Sequence, residues 1–476
     1  MRNPITHRLL PEGPLGYLGI SSPKRVVAFV LCLIGALAVT LIPTFQGELD
    51  PPARRALFIL VFAAALWTTE AIPAFAVGIL VIGLEVALLG TARGGARDPR
   101  QWEEYVAIIG HPLVWLFFGG FVLAAGMSKT GLDRRLASRL LKRLGDRPGA
   151  ILGGVMAVTF VLSMFMSNTA TTAMMLATLA PLLASIDRED PFGKGLLLGT
   201  AVAANVGGMA SLIGTPPNAI AVGALADLSP GVEVNFLHWI PVASPVAVTI
   251  AVLAWLFIQR FYPARVERLQ VDVGPSSDEG ADSPLWSKLV IGLTMLLTVG
   301  LWMTSQWHPI PTTAVSFIPI VLLTTTGILD ATDIRRLNYD VLFLLAGGLA
   351  LGNVVVSTGL SSWIVSGLPT ESLGMTGVAL MMCYLTVILS NLMSNTAAAN
   401  ILVPLGIAMA LGSEPRIALP IAMSASAAMC LPIATPPNAL AFADGRLRVT
   451  DFAGIGLIIG LVTPLASVLC VSFWYS

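Results

Sequence analysis

Apolar residues run through this chain in long blocks with few polar interruptions, not at the spacing of half-buried surface helices. Blocks near 26–46, 55–69, 72–90, 236–259, 286–306, 311–328 and 453–475 approach the roughly 20 residues that cross a bilayer as a helix, the second being shorter than ideal. Between them lie two irregular apolar regions, 106–226 and 338–443, interspersed with Gly, Asn, Ser, Thr and Pro. The pattern predicts an all-α polytopic membrane protein. The first block follows a leader containing Arg and Pro and shows no small-residue cleavage site, so it reads as a first span and not as a removable signal.

The two irregular regions repeat one another. The first carries Phe118-Gly119-Gly120, Thr130-Gly131-Leu132, Met166-Ser167-Asn168-Thr169-Ala170 and Gly214-Thr215-Pro216-Pro217-Asn218-Ala219. The second carries Ala346-Gly347-Gly348, Thr358-Gly359-Leu360, Met393-Ser394-Asn395-Thr396-Ala397 and Ala434-Thr435-Pro436-Pro437-Asn438-Ala439 in the same order. The offset is 228 for the glycines (119 to 347), 227 for Ser-Asn-Thr (167 to 394) and 220 for Thr-Pro-Pro-Asn (215 to 435). Four landmarks in one order at nearly constant offset indicate an internal duplication.

Charge orients the copies. After the first Thr-Gly-Leu come Arg134, Arg135, Arg139, Lys142, Arg143 and Arg147; after the second, Ser361 to Gly367 contain no basic residue. By the positive-inside rule the first end is cytoplasmic and its counterpart external, so the repeats are inverted. A path of about 11 transmembrane spans, with each Ser-Asn-Thr region re-entering as a hairpin and each Thr-Pro-Pro-Asn breaking a helix, puts 21 basic residues inside and 6 outside. That path has the N-terminus inside and the C-terminus outside.

The expected organisation is N-terminal spans over 1–105 and a first inverted repeat over 106–262, with a hairpin at 151–186, a broken helix at 193–226 and a span at 236–259. A hydrophilic cytoplasmic linker follows at 263–284, then spans over 285–337. The second repeat covers 338–476, with a hairpin at 376–411, a broken helix at 415–443 and a span at 453–475. Leu132, Leu136, Leu140 and Leu144 recur every four residues among basic side chains, as in an amphipathic helix at the cytoplasmic interface; a plain basic anchor reads equally well.

Composition agrees with the pattern. Hydrophobic residues make up 55% and charged residues only 11% of the 476, against about 25% charged in a soluble domain. Lys and Arg equal Asp and Glu at 27 each, so nothing points to a nucleic-acid partner. The four cysteines (Cys32, Cys383, Cys430, Cys470) lie in apolar segments without CxxC spacing, and the four histidines are scattered without metal-ligand spacing.

The paired motifs carry the chemistry. Irregular backbone at membrane depth occurs where it lines a cavity or is buried in protein. Each Pro-Pro pair removes two N–H donors and breaks its helix, freeing carbonyls near Ile213, Gly214, Ile433 and Ala434 as cation ligands. Ser-Asn-Thr adds side-chain oxygens, and half-helix N-termini suit an anion. No Lys or Arg lies within either motif, so an anionic substrate needs co-bound cations and helix dipoles to offset its charge. A single Ser-Asn-Thr run also arises from small-residue helix packing, and a lone Thr-Pro-Pro-Asn from a kink. Both together, twice, in inverted copies match a coupled transporter with discontinuous helices.

On these residues, and on Ala434 to Ala443 as a signature-like stretch, the sequence resembles the divalent anion/sodium symporter family of dicarboxylate, citrate and sulfate carriers over nearly its whole length. The resemblance implies a homodimer in the cytoplasmic (inner) membrane, with a scaffold part that dimerises and a transport part that moves as an elevator. It implies one sodium site of Ser163, Ser167, Asn168 and Gly214 and a second of Ser390, Ser394, Asn395 and Ala434. It places the substrate carboxylates against Asn168, Thr169, Thr215, Asn395, Thr396, Thr435 and Pro436. Many family members carry Thr-Glu where this chain has Ser390-Asn391; the serine still offers an oxygen, and loss of the carboxylate implies a weakened or retuned second cation site.

The reading is sodium-coupled symport of C4-dicarboxylates such as succinate or malate. The alternatives are a sodium-independent dicarboxylate exchanger and a sulfate or other oxyanion carrier. A cation/proton antiporter would want acids at the broken helices, which are absent. A membrane enzyme would need a nucleophile–base pair or metal set, and no HExxH, GxSxG or Walker pattern is present. Glu85, inside an apolar block, is a functional candidate by its position, with a packing or dimer-facing role as the alternative.

Overall fold

The computed structural model describes residues 23–42, 49–90, 101–229, 231–232, 234–265, 267–268, 283–367, 370–410 and 412–475. Outside them lie Arg2, Arg8, Arg93, Arg97 and Arg100 of the charge argument, the end of the first apolar block, most of the 263–284 linker and residue 411 of the second expected hairpin. The described residues form helices and turns and contain no strand.

Among the described residues, eight helices are long and apolar enough to cross a membrane, including Pro51–Thr69, Phe236–Phe261, Leu285–Met303, Tyr339–Ser357 and Val449–Trp474. Ala74–Leu88, Pro148–Ser163, Thr312–Thr325 and Asn395–Met409 are shorter apolar helices. Large apolar side chains such as Leu31, Leu296, Leu469 and Phe473 stand exposed on the outer surface. That arrangement is stable in hydrocarbon and costly in water.

Local chemistry explains the helix ends. Helices Pro112–Thr130 and Tyr339–Ser357 both stop at Thr-Gly-Leu, where Gly131 (φ 64°) and Gly359 (φ 79°) take the left-handed conformation that a Cβ disfavours. The Gly pairs upstream serve close packing. A Cβ on Gly119 would collide with the Ser316 backbone, and one on Gly347 with the Gly78 backbone. Small residues here let helix backbones meet, which is how helices adhere where lipid removes the hydrophobic drive.

The amphipathic segment is helix Leu132–Leu141. It turns Asp133, Ala137 and Leu141 into the protein and leaves Leu136 and Leu140 exposed. The leucine stripe expected to define one apolar face therefore borders the outside, and the adjacent stripe makes the protein contact.

At each Ser-Asn-Thr two helix arms meet. Pro148–Ser163 is followed by Asn168–Ser185, and Thr370–Leu392, kinked at Gly374, by Asn395–Met409. At each Thr-Pro-Pro-Asn a helix is interrupted: Pro191–Met209 resumes as Pro216–Leu228, and Pro415–Ala425 as Pro436–Phe442. The packing is reciprocal. Helix 216–228 lies on 395–409 and 415–425, while 436–442 lies on 168–185 and 191–209. Each resumed half-helix thus packs against the other half's arms.

Candidate functional site

Two small oxygen clusters mark the hairpin tips. Ser163 Oγ lies 2.8 Å from Asn168 Oδ1 and 2.7 Å from the Ala204 carbonyl. Ser390 Oγ lies 2.7 Å from Asn395 Oδ1 and 2.8 Å from the Ala425 carbonyl. Each serine is fully buried. A hydroxyl has one proton, so in each cluster three oxygens share a single hydrogen. Such a set is suited to a small hard cation.

Ser167 and Ser394, expected among the cation ligands, are the N-caps of the second arms. Each Oγ accepts from the backbone N–H three residues on, at 3.2 Å (Ala170 and Ala397). A lone pair remains on each for a further ligand. Gly214 is held tightly, since a Cβ there would meet the Gly208 carbonyl. Gly208 in turn underlies Asn168, whose Oδ1 would lie 2.4 Å from an added Cβ.

The interrupted helices are closed by asparagines. Pro216-Pro217 and Pro436-Pro437 occupy the first positions of the resumed helices, leaving upstream carbonyls without N–H donors. Asn218 Nδ2 donates to the carbonyls of Ser211 (2.8 Å) and Gly208 (3.0 Å). Asn438 Nδ2 donates to Leu431 (3.1 Å) and Met429 (3.3 Å). Part of the freed backbone is therefore satisfied internally, and the last asparagine of Thr-Pro-Pro-Asn is what satisfies it.

The remaining expected residues divide by exposure. Thr169 and Pro436 are exposed, whereas Thr215, Thr396 and Thr435 are buried. Asn168, Asn395 and Ala434 are half-buried. The twin isoleucines before the breaks differ sharply: Ile213 is 9% exposed and Ile433 is 84% exposed. Ile213 packs against Gly120 of helix 112–130. One half of the site is thus open around Thr169, Ile433 and Pro436, and its counterpart is closed around Thr396 and Ile213, with Pro216 half-buried.

Asn205 had no motif to announce it. Its Nδ2 lies 3.0 Å from Thr435 Oγ1 and 3.2 Å from Asn438 Oδ1, joining the two broken helices across more than 200 residues of sequence. Ala204, Asn205 and Gly208 place contacts to both halves on one helix turn.

Asn391, where many relatives are expected to carry an acid, uses its side chain on backbone. Oδ1 accepts from Cys430 N–H and Nδ2 donates to the Val387 carbonyl, both at 2.9 Å. Glu85 is wholly buried, with both carboxylate oxygens unpartnered among the described residues; it sits on helix 74–88, outside both motifs. No group of His, Cys, Asp and Glu suited to a metal occurs among the described residues.

Helices of this length and apolarity, packed with two further helices interrupted by oxygen-rich breaks, define an integral membrane protein of the transporter class. The description "sodium:sulfate symporter transmembrane region" matches residues 23–476, and the chain belongs to that family. Its members are transporters and not enzymes.

Among similar curated proteins is the sodium-dependent dicarboxylate transporter SdcS of Staphylococcus saprophyticus, 30% identical over 88% of this chain and 85% of the relative. The sodium-dependent low-affinity dicarboxylate transporter 1 of Caenorhabditis elegans is 27% identical over 96% of this chain and 92% of its own. Of solved structures, the YdaH transporter of Alcanivorax borkumensis shares the fold with a TM-score of 0.56 at 15% identity, covering 84% of this chain and 98% of that one.

Proposed function

We propose that this protein is a secondary active transporter that moves C4-dicarboxylates such as succinate or malate together with sodium ions. The observation that carries the reading is the pair of Ser–Asn–carbonyl clusters, Ser163/Asn168/Ala204 and Ser390/Asn395/Ala425. Each offers a sodium ion three oxygens and no competing charge. The names of the relatives support sodium dependence and a dicarboxylate substrate.

In this reading Ser163, Ser167, Asn168 and Gly214 hold one sodium ion, and Ser390, Ser394, Asn395 and Ala434 the other. Asn168, Thr169, Thr215, Asn395, Thr396, Thr435 and Pro436 meet the substrate. With no basic side chain in either motif, the cations and the exposed N–H groups at helix starts 168 and 395 offset the dianion's charge. The substrate then binds well only when sodium is present, and coupling follows from electrostatics.

The two motif-bearing halves are inverted repeats, with the N-terminus inside, the C-terminus outside, about eleven spans and the cytoplasmic (inner) membrane as the site of action. The protein works as a homodimer in which the motif-bearing part moves against a scaffold as an elevator. The unequal burial of Ile213 and Ile433 supports alternating access, because symmetric motifs in unequal surroundings are what one end state of such a cycle presents.

The test is uptake of labelled succinate into proteoliposomes, with malate, citrate and sulfate as competitors. An inward sodium gradient is expected to accelerate uptake, with malate competing best. Uptake that ignores sodium but needs internal dicarboxylate would establish the exchanger instead, and competition by sulfate alone the oxyanion carrier.

A further inference from the structure

We propose that Asn205 is a positioning residue that commits the Thr435 hydroxyl to donating a hydrogen bond to the anionic substrate. The proposal rests on the reading that Thr435 meets the substrate, and it adds what sets the polarity of that contact.

A chain of amide orientations leads to it. Asn438 directs Nδ2 at two carbonyl oxygens, those of Met429 and Leu431. Carbonyls only accept, so the orientation of this amide is set by its partners. Its Oδ1 therefore faces the other way, 3.2 Å from Asn205. Only an N–H suits that oxygen, which turns Asn205 Nδ2 toward it. The second hydrogen of the same NH2 group then points to Thr435 Oγ1 at 3.0 Å. Thr435 Oγ1 also accepts from Asn438 N–H at 3.4 Å. A hydroxyl has two lone pairs and one proton. Both lone pairs of Thr435 are engaged, and the proton is left to donate.

The other half of the molecule lacks this device. Ala204 and Ala425 play the same part toward Ser163 and Ser390, so the counterpart of Asn205 is the next residue, Ser426. The Ser426 hydroxyl is buried with no hydrogen-bond partner among the described residues. Thr215, the counterpart of Thr435, makes no cap bond with its side chain. Two threonines in near-identical motifs thus differ in chemistry. Thr435 is a fixed donor, whereas the Thr215 hydroxyl, without a cap bond, is not so committed. Motifs without Lys or Arg have few donors for a dianion, and an oriented hydroxyl in a buried setting is worth more than a freely rotating one.

The experiment compares succinate KM and the half-saturating sodium concentration for Asn205→Ala, Asn205→Ser, Thr435→Val, Thr435→Ser and the Asn205→Ala/Thr435→Val double variant. All are assayed as full-length protein in proteoliposomes, with size-exclusion profiles as the folding control. Asn205→Ala is expected to raise succinate KM about tenfold while shifting the sodium requirement far less. Thr435→Val raises KM at least as much, Thr435→Ser returns it toward wild type, and the double variant is no worse than Thr435→Val alone. Asn205→Ser, mimicking Ser426, carries the same comparison if the alanine variant fails to fold. Raised KM in Thr435→Val with unchanged KM in the Asn205 variants overturns the proposal alone, as does additivity in the double variant. Unchanged KM in Thr435→Val overturns the substrate contact beneath it.

Discussion

Ser163 stands 2.8 Å from Asn168, with the Ala204 carbonyl 2.7 Å from the same hydroxyl. Ser390 and Asn395 repeat the relationship beside Ala425. Two clusters of the same construction, each with more oxygens than protons, are where the proposed coupling is to be tested.

Asn168→Ala and Asn395→Ala each remove a cluster oxygen and a side-chain contact at the start of a helix arm. A hydrogen bond to a charged partner is worth about 1.5–3 kcal/mol, so transport at fixed substrate should fall roughly tenfold to a hundredfold. Both variants should still insert and elute as wild type on size exclusion. Near-normal uptake in both would remove the site assignment.

Ser163→Ala and Ser390→Ala should separate cation binding from substrate binding. Each deletes a hydroxyl that no substrate contact requires, so the half-saturating sodium concentration should rise several-fold while succinate KM at saturating sodium stays close to wild type. A rise in KM alone would place these serines on the substrate.

Gly208→Ala and Gly214→Ala probe the support beneath the first cluster. A Cβ at Gly208 would lie 2.4 Å from Asn168 Oδ1, the far end of a movable side chain. That protein should fold with Asn168 displaced and transport lost. A Cβ at Gly214 would lie 2.4 Å from the Gly208 carbonyl oxygen, which is backbone, and this variant should lose folding yield as well. Thermal stability in detergent beside uptake distinguishes the two.

Asp330 predicts a pH signature of its own. Backbone N–H groups of Asp333 and Thr332 and the Lys129 ammonium lower its carboxyl pKa to about 2, from an ordinary value near 4. A depressed folded-state pKa stabilises above the unfolded value, and the contribution is lost as pH falls toward the folded one. The difference in melting temperature between wild type and Asp330→Ala should therefore be constant from about pH 8 to 5, narrowing only in stronger acid. Narrowing near neutrality would contradict the sign.

The parts of this architecture that were legible in the sequence are those with local causes. Proline pairs must interrupt helices, so the breaks before Pro216 and Pro436 follow from two adjacent residues. Gly131 and Gly359 announce left-handed helix ends in the same way. Asn205 was not legible, because a single asparagine in an apolar run acquires its meaning from Thr435, 230 residues away. The capping duty of Asn218 and Asn438 was hidden for a related reason: the motif named them, but only geometry shows that they feed hydrogens to carbonyls. The unequal fates of Ile213 and Ile433 lie beyond any motif, since like segments diverge only through the helices packed around them.

Sodium bound at the two Ser–Asn–carbonyl clusters is proposed to travel with a dicarboxylate. The most direct measurement is succinate-driven entry of radioactive sodium into proteoliposomes, for wild type and for Ser163→Ala and Ser390→Ala. External succinate is expected to drive sodium entry in wild type, and each serine variant to need more sodium to reach the same flux. Succinate uptake with no accompanying sodium movement would contradict it.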